Sequence, residues 1–119
     1  METGPGSSAD VAETALSDLV TELDRCLDEL VQARARADAL LRERLAGRAW
    51  FDIVTTESRP LVVERISTVL AGLSAAGHTW RREQAAALQA EQVSINRIAA
   101  LFGVTRQRIS ALLKENGAA

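Results

Sequence analysis

Apolar residues between Ala9 and Ala46 recur with the period of a helix, not of a strand. Ala12, Leu16, Leu19, Leu23, Cys26, Leu30, Ala33, Ala37 and Leu40 follow one another at alternating steps of four and three, with no Gly or Pro among them. Four heptads of that spacing predict one long helix with a coiled-coil-like seam. Val20, Leu27 and Leu41 lie beside the seam and widen the apolar stripe. A stripe that wide suits packing against more than one helix, so the prediction is a dimer whose long helix also touches another helix of its own chain. At 1.5 Å rise per residue the helix is roughly 55 Å long, and association is its expected source of stability. Glu29 and Arg34 stand where a parallel, in-register partner would bring them together, while the mixed flanking charges fit either orientation.

The remaining elements are shorter. Gly47 marks a break, and residues 48–56 hold Trp50, Phe51, Ile53 and Val54 in a short apolar helix or turn. Ser58-Arg59-Pro60 is a helix-start signal, because Ser can cap and Pro is tolerated in the first turn. A helix is predicted from Pro60 to Ala76 with Val62, Ile66, Val69, Leu70 and Leu73 on one face, ended by Gly77. Thr79 is read as the cap of a further helix from Trp80 to about Glu91, and Ser94 and Thr105 as the caps of two more. Residues 1–8, with Gly, Pro and Ser and no periodicity, are expected to be disordered. The expected fold class is all-α: a long N-terminal helix, short middle helices and a C-terminal three-helix unit.

Composition agrees. The 119 residues are 47% hydrophobic, 25% charged and only 3% aromatic, which favours a small helical domain over a sheet protein or a disordered chain. The net charge of −2 conceals a polarity. Residues 1–77 carry eight basic and thirteen acidic side chains, whereas residues 78–119 carry six basic and three acidic. A nucleic-acid footprint depends on where positive charge collects, so the C-terminal third is the candidate surface. A single cysteine, Cys26, excludes an intrachain disulfide framework or a cysteine-built zinc site. No apolar run approaches the eighteen or so residues of a membrane span and no signal-peptide pattern opens the chain, so a cytoplasmic, nucleoid-associated location is expected.

Residues 95–112 read INRIAALFGVTRQRISAL. Apolar Ile98, Phe102, Val104, Ile109 and Leu112, small Ala99 and a glycine at 103 resemble, in this spacing, the helix-turn-helix of small actinobacterial-type transcription regulators. The same motif occurs in resolvase-type and homeodomain-like DNA-binding domains. The resemblance implies that the five apolar residues are buried, that Ala99 lies at the close helix crossing, and that Gly103 sits in the turn at positive φ. It covers about 35 residues once 81–91 is counted as a support helix. One departure is Gln92, at a turn where relatives often carry Gly; positive φ there costs about 1 kcal/mol.

With Ile109 and Leu112 inward, Thr105, Arg106, Gln107, Ser110, Ala111 and Lys114 are the expected base-reading residues of a helix over 106–114. Arg can bond guanine O6 and N7, Gln can bond adenine N6 and N7, and Ala can meet a thymine methyl. Arg81, Arg82, Ser94, Arg97 and Arg108 are the expected phosphate contacts, which set register and salt dependence. The implied organisation is a helical dimerisation region over 9–77 and a DNA-binding domain over 78–119. The dimer seam is Leu16, Leu19, Leu23, Cys26, Leu30, Ala33, Ala37 and Leu40.

The function expected is a sequence-specific, double-stranded-DNA-binding regulator acting as a homodimer. Two alternatives stand beside it: an adaptor for a sigma factor, polymerase or sensor that uses the helix-turn-helix as scaffold, and a non-specific architectural DNA binder. Cys26 is read as a small buried apolar residue, His78 as a solvated loop histidine, and Trp50 and Trp80 as core anchors. With one His, no metal-ligand cluster and no Gly-rich phosphate loop, neither catalysis nor a cofactor, metal or small-molecule ligand is expected.

Overall fold

Helix-favouring Ala, Leu, Glu and Arg fill residues 8–45, and in a computed structural model, which describes residues 8–117, they form one helix, α1 (Ser8–Leu45). It is followed by α2 (Trp50–Thr56), α3 (Val62–Ala90), α4 (Ile95–Phe102) and α5 (Arg106–Gly117), an all-α architecture among the described residues. The disorder expected for residues 1–8 falls outside the described residues except at Ser8, which opens α1.

Three helices end in the same way. Arg48 N–H donates to Glu43 O and Gly47 N–H to Arg44 O at the end of α1, with Gly47 at φ 99°. Val93 and Gln92 donate to Leu88 and Gln89 after α3, and Val104 and Gly103 to Ala99 and Ala100 after α4. Each is a Schellman motif, whose left-handed residue lets the last carbonyls be bonded. Gln92 takes that residue's place at φ 72°, as the departure noted at this position requires.

The middle of the chain corrects the sequence reading. Gly77 does not end a helix and Thr79 does not begin one: α3 runs unbroken through both. Gly77 lacks the positive φ of Gly47 and Gly103, and a helical Gly costs only about 1 kcal/mol relative to Ala. His78 is therefore a helical residue rather than a loop histidine. The start of α3 is also fixed differently. Glu57 accepts from Val62 N–H at 2.9 Å and Glu64 accepts from Leu61 N–H at 2.8 Å, so two glutamates, not Ser58, bond its first free amides.

The chain divides into two units. In the unit Thr21–Ser74, α1 and α3 run antiparallel. Cys26 Sγ lies 3.9 Å from Val69 O, Arg65 bonds Glu29 at 3.3 Å, and Arg36 donates to Ser58 O at 3.0 Å. Cys26, Ala33, Val69 and Ile53 of α2 are buried there. The shielded row of α1 in this unit, at 22, 26, 29, 33, 36 and 40, keeps the heptad spacing but shares only one of the two rows expected from sequence. Cys26, Ala33 and Leu40 are covered within the chain, whereas Leu23 and Leu30 are 42% and 43% exposed and Ala37 is exposed. Gly72 of α3 stands beside Glu22 and Arg25, where an added Cβ would fall 2.5 Å from Glu22 Oε2. Burial, with the neighbouring Glu22 carboxylate, raises the Cys26 pKa and keeps it a thiol. Asp38 and Arg42 pair at 2.7 Å as their four-residue spacing predicts, but Glu29 spends its charge on Arg65 of its own chain. Trp50 and Phe51 are 57% and 77% exposed, so Trp50 is not a core anchor of this chain.

The second unit comprises the described residues through Val20 together with those from Ala75 onward. Its core is Ala85 of α3, Ile98 and Ala99 of α4, and Ile109 and Leu112 of α5, ringed by Leu88, Val93, Ile95, Phe102 and Leu113. Ile98 and Ile109 are wholly buried, each stabilising the unit by about 1.5–3 kcal/mol over an exposed side chain. Ala12 and Ala15 of α1 are buried in this unit, Leu19 is half-buried, and Leu16 is 42% exposed.

Candidate nucleic-acid interface

The α4–α5 pair is built by its caps and its apolar face. Ser94, at φ −69° and ψ 155°, accepts the Arg97 N–H at 3.2 Å on its side chain and so starts α4. Gly103, at φ 68° and ψ 34°, ends α4. Two residues later Thr105 Oγ1 accepts the Arg108 N–H at 3.1 Å and starts α5. Both hydroxyls keep a proton to donate outward. Ala99, only 6% exposed, lies in the core cluster with Ile109 and Leu112, where a larger side chain would hold α4 and α5 apart.

With Ile109 and Leu112 buried, helical geometry turns the next positions outward. Thr105, Arg106, Gln107, Ala111 and Lys114 are exposed and Ser110 is half-buried. Arg106, Gln107, Ser110, Ala111 and Lys114 line one shallow depression on α5, so five of the six sequence-selected reading residues share one surface. Ser94 and Arg97 lie on a second depression with Asn96, Ala100 and Leu101. Asn96 escaped the sequence reading; its signal was its place in the first turn after the Ser94 cap, beside Arg97. Among the described residues no carboxylate lies within ion-pair distance of Arg97, Arg106, Arg108 or Lys114.

Two of the expected phosphate-contacting residues are otherwise engaged. Arg81 is exposed but stacks its guanidinium 4.3 Å from the Phe102 ring centroid, tying α3 to α4. Arg82 is half-buried between Glu83 at 3.4 Å and Glu115 at 3.8 Å, so its charge is largely offset. Glu115 also bonds His78 Nε2 at 2.8 Å, fastening the last turns of α5 to α3. The His78 hydrogen bond, aided by the charges of His78, Arg82 and Arg108 and opposed by desolvation, holds the Glu115 carboxyl below its ordinary value. The sequence reading missed Glu115; its signal was His78 and Arg82, four apart on one helix face. Val104, expected inside, is 39% exposed; it lies in the turn between Gly103 and the Thr105 cap, in neither helix.

Chemically, the α5 surface offers donors in a fixed row. Arg106 and Gln107 project from the first turn, where free helix amides also favour an anion. The helix is 12 residues, about 18 Å, a size the major groove of B-DNA admits. No group of three or more His, Cys, Asp or Glu among the described residues could hold a metal ion, and no described helix is long and apolar enough to cross a membrane. Trp80 is half-buried on a third, open depression with Arg81, Leu101 and Phe102. No protein-family model, characterised protein or solved structure matches the chain.

Proposed function

We propose that this chain is a sequence-specific, double-stranded-DNA-binding regulator that acts as a homodimer, with α4–α5 as a helix-turn-helix and α5 in the major groove. The observation that carries the reading is the row Arg106, Gln107, Ser110, Ala111 and Lys114 on one surface of α5, opposite a fully buried Ile109. Arg106 and Gln107 read guanine and adenine edges, and Ala111 meets a thymine methyl. Thr105, at the cap, borders the first base step. Ser94, Arg97 and Arg108 hold phosphates; Arg81 and Arg82 contribute less, given their bonds to Phe102, Glu83 and Glu115.

An adaptor role has one observation in its favour, the exposed Leu45, Trp50 and Phe51. Salt separates the two readings. Binding of the full chain to duplex DNA, followed by fluorescence anisotropy, is expected to weaken by orders of magnitude between roughly 50 and 200 mM salt if about six phosphates are contacted. Specific affinity should also fall about tenfold or more in Arg106→Ala/Gln107→Ala, each bidentate contact being worth about 1–3 kcal/mol. Duplex binding that is absent, or indifferent to both salt and that substitution, overturns the proposal.

A further inference from the structure

Beyond the seam that joins α1 to α3, the unit Thr21–Ser74 carries a second apolar surface that none of the unit's own residues covers. On α1, Leu23, Leu27, Leu30 and Leu41 are 42%, 61%, 43% and 53% exposed. On α3, Val63, Ile66 and Leu70 are 64%, 38% and 61% exposed. Each of these residues follows a shielded seam position by one: 23 after 22, 27 after 26, 30 after 29, 41 after 40, and 63, 66 and 70 after 62, 65 and 69.

One residue is a turn of about 100° around a helix, in the same handed sense for every helix. When two helices run antiparallel with their seams facing, that turn brings both displaced rows to the same side of the pair. The rows on α1 and α3 therefore form one face. The residues that precede seam positions occupy the opposite side, and on α1 they are Arg25, Asp28 and Gln32, followed by the small Ala35 and Ala39. On α3 the same side carries Glu64, Thr68 and Ala71. The helix pair thus has large aliphatic side chains on one flank and polar or small ones on the other, with Arg34 the one charge in the apolar α1 row.

Side chains at these exposures leave on the order of 600 Å² of apolar surface, at the upper end of what a monomer shows in one patch and near the roughly 800 Å² per partner of a stable interface. Both rows repeat at heptad steps, so the surface matches another surface of the same spacing, which a copy of itself supplies through a two-fold axis. We propose that a second copy of this chain covers the face, so that α1 and α3 of two chains form a four-helix bundle. The proposal gives the homodimer of the preceding reading its surface and rests on that reading only for the dimer, not for DNA. It replaces the α1 seam with a face built from α1 and α3, in which Leu23 and Leu30 keep a role and Cys26 and Ala33 serve the inside of each chain.

Mass in solution, measured by analytical ultracentrifugation of the full chain without DNA, tests the face. The wild type is expected to be a dimer at micromolar concentration. Leu27→Lys/Leu70→Lys is expected to be a helical monomer, its dissociation constant raised about a hundredfold or more. Arg106→Ala/Gln107→Ala is expected to remain a dimer, so a failure of DNA reading and a failure of this face are told apart. If the lysine variant loses its helical circular dichroism, Leu27→Ala/Leu70→Ala takes its place, with an expected rise of about tenfold or more. A wild type that stays monomeric at about 100 µM, well above the 1 µM Kd of even an −8 kcal/mol association, overturns the proposal, as does a dimer whose strength neither pair of substitutions changes.

Discussion

Gln92 holds the backbone angle that Gly47 and Gly103 hold at the other two helix ends, and it does so with a side chain. A non-glycine residue at φ 72° costs about 1 kcal/mol, so Gln92→Gly is expected to raise thermal stability by a few degrees, read by calorimetry. A lower melting temperature would show that the Gln92 side chain stabilises the turn by more than the strain. Glu115 makes a second residue-level statement. Its carboxyl pKa is depressed from 4.5 in the folded chain, so the unfolded chain binds the proton first as pH falls. The Glu115 contribution is therefore complete above the unfolded value and is lost as pH drops through the lower, folded one. Urea unfolding of Glu115→Gln should show a shallower acid limb below about pH 4.5 than the wild type; parallel limbs would place the charge elsewhere. Arg106 and Gln107 are exposed and lie outside the core cluster, which is why their joint replacement should leave helicity intact while specific DNA affinity falls.

α4 and α5 meet through Ile98, Ala99, Ile109 and Leu112, so Ile109→Ala should cost about 2–5 kcal/mol in denaturant unfolding, and a loss well under 1 kcal/mol would mean that the pair is not held by this core. This region was the most legible in the sequence. Two capping hydroxyls, a turn glycine and apolar residues at helical spacing all point to the same local structure, and the side chains that pack there are near neighbours along the chain. The long helix was legible for a related reason, since thirty-eight residues without Gly or Pro have one regular form. What the sequence hid depends on distant neighbours. Gly77 looks like Gly47 locally, yet the shielded row at 69, 72, 76, 79 and 83 runs straight through it and the helix continues. Which apolar row of α1 faces its own chain was hidden as well. Leu16, Leu23 and Leu30 are greasier than Ala15, Glu22 and Glu29, but α3 brings Arg65 and Gly72, which suit small and acidic neighbours. Trp50 was misjudged because hydrophobicity says that a ring will be covered, not by which chain.

At the scale of the whole molecule, the charge polarity of the sequence and the placement of its side chains tell a consistent story. Acidic residues concentrate on α1: Glu22 and Glu29 lie in the row that faces α3, and Glu13, Asp18, Asp24 and Asp28 are exposed to solvent. The four basic residues of α4 and α5, Arg97, Arg106, Arg108 and Lys114, have no ion partner among the described residues, and in the proposed reading phosphate is met there. A two-fold pair of such chains would read an inverted site with half-site centres about 10 bp, or a multiple of it, apart. The proposed bundle places dimerisation in residues outside the proposed DNA surface, so Leu27→Lys/Leu70→Lys should weaken operator binding without changing the preferred half-site.

Selection of bound sequences from a pool of random duplexes, using the full chain at near-physiological salt, tests whether α5 reads sequence. The expected result is one enriched inverted motif, dominated by guanine and adenine contacts and lost in Arg106→Ala/Gln107→Ala. A pool that shows no enrichment, or the same enrichment with that variant, would contradict sequence reading by α5.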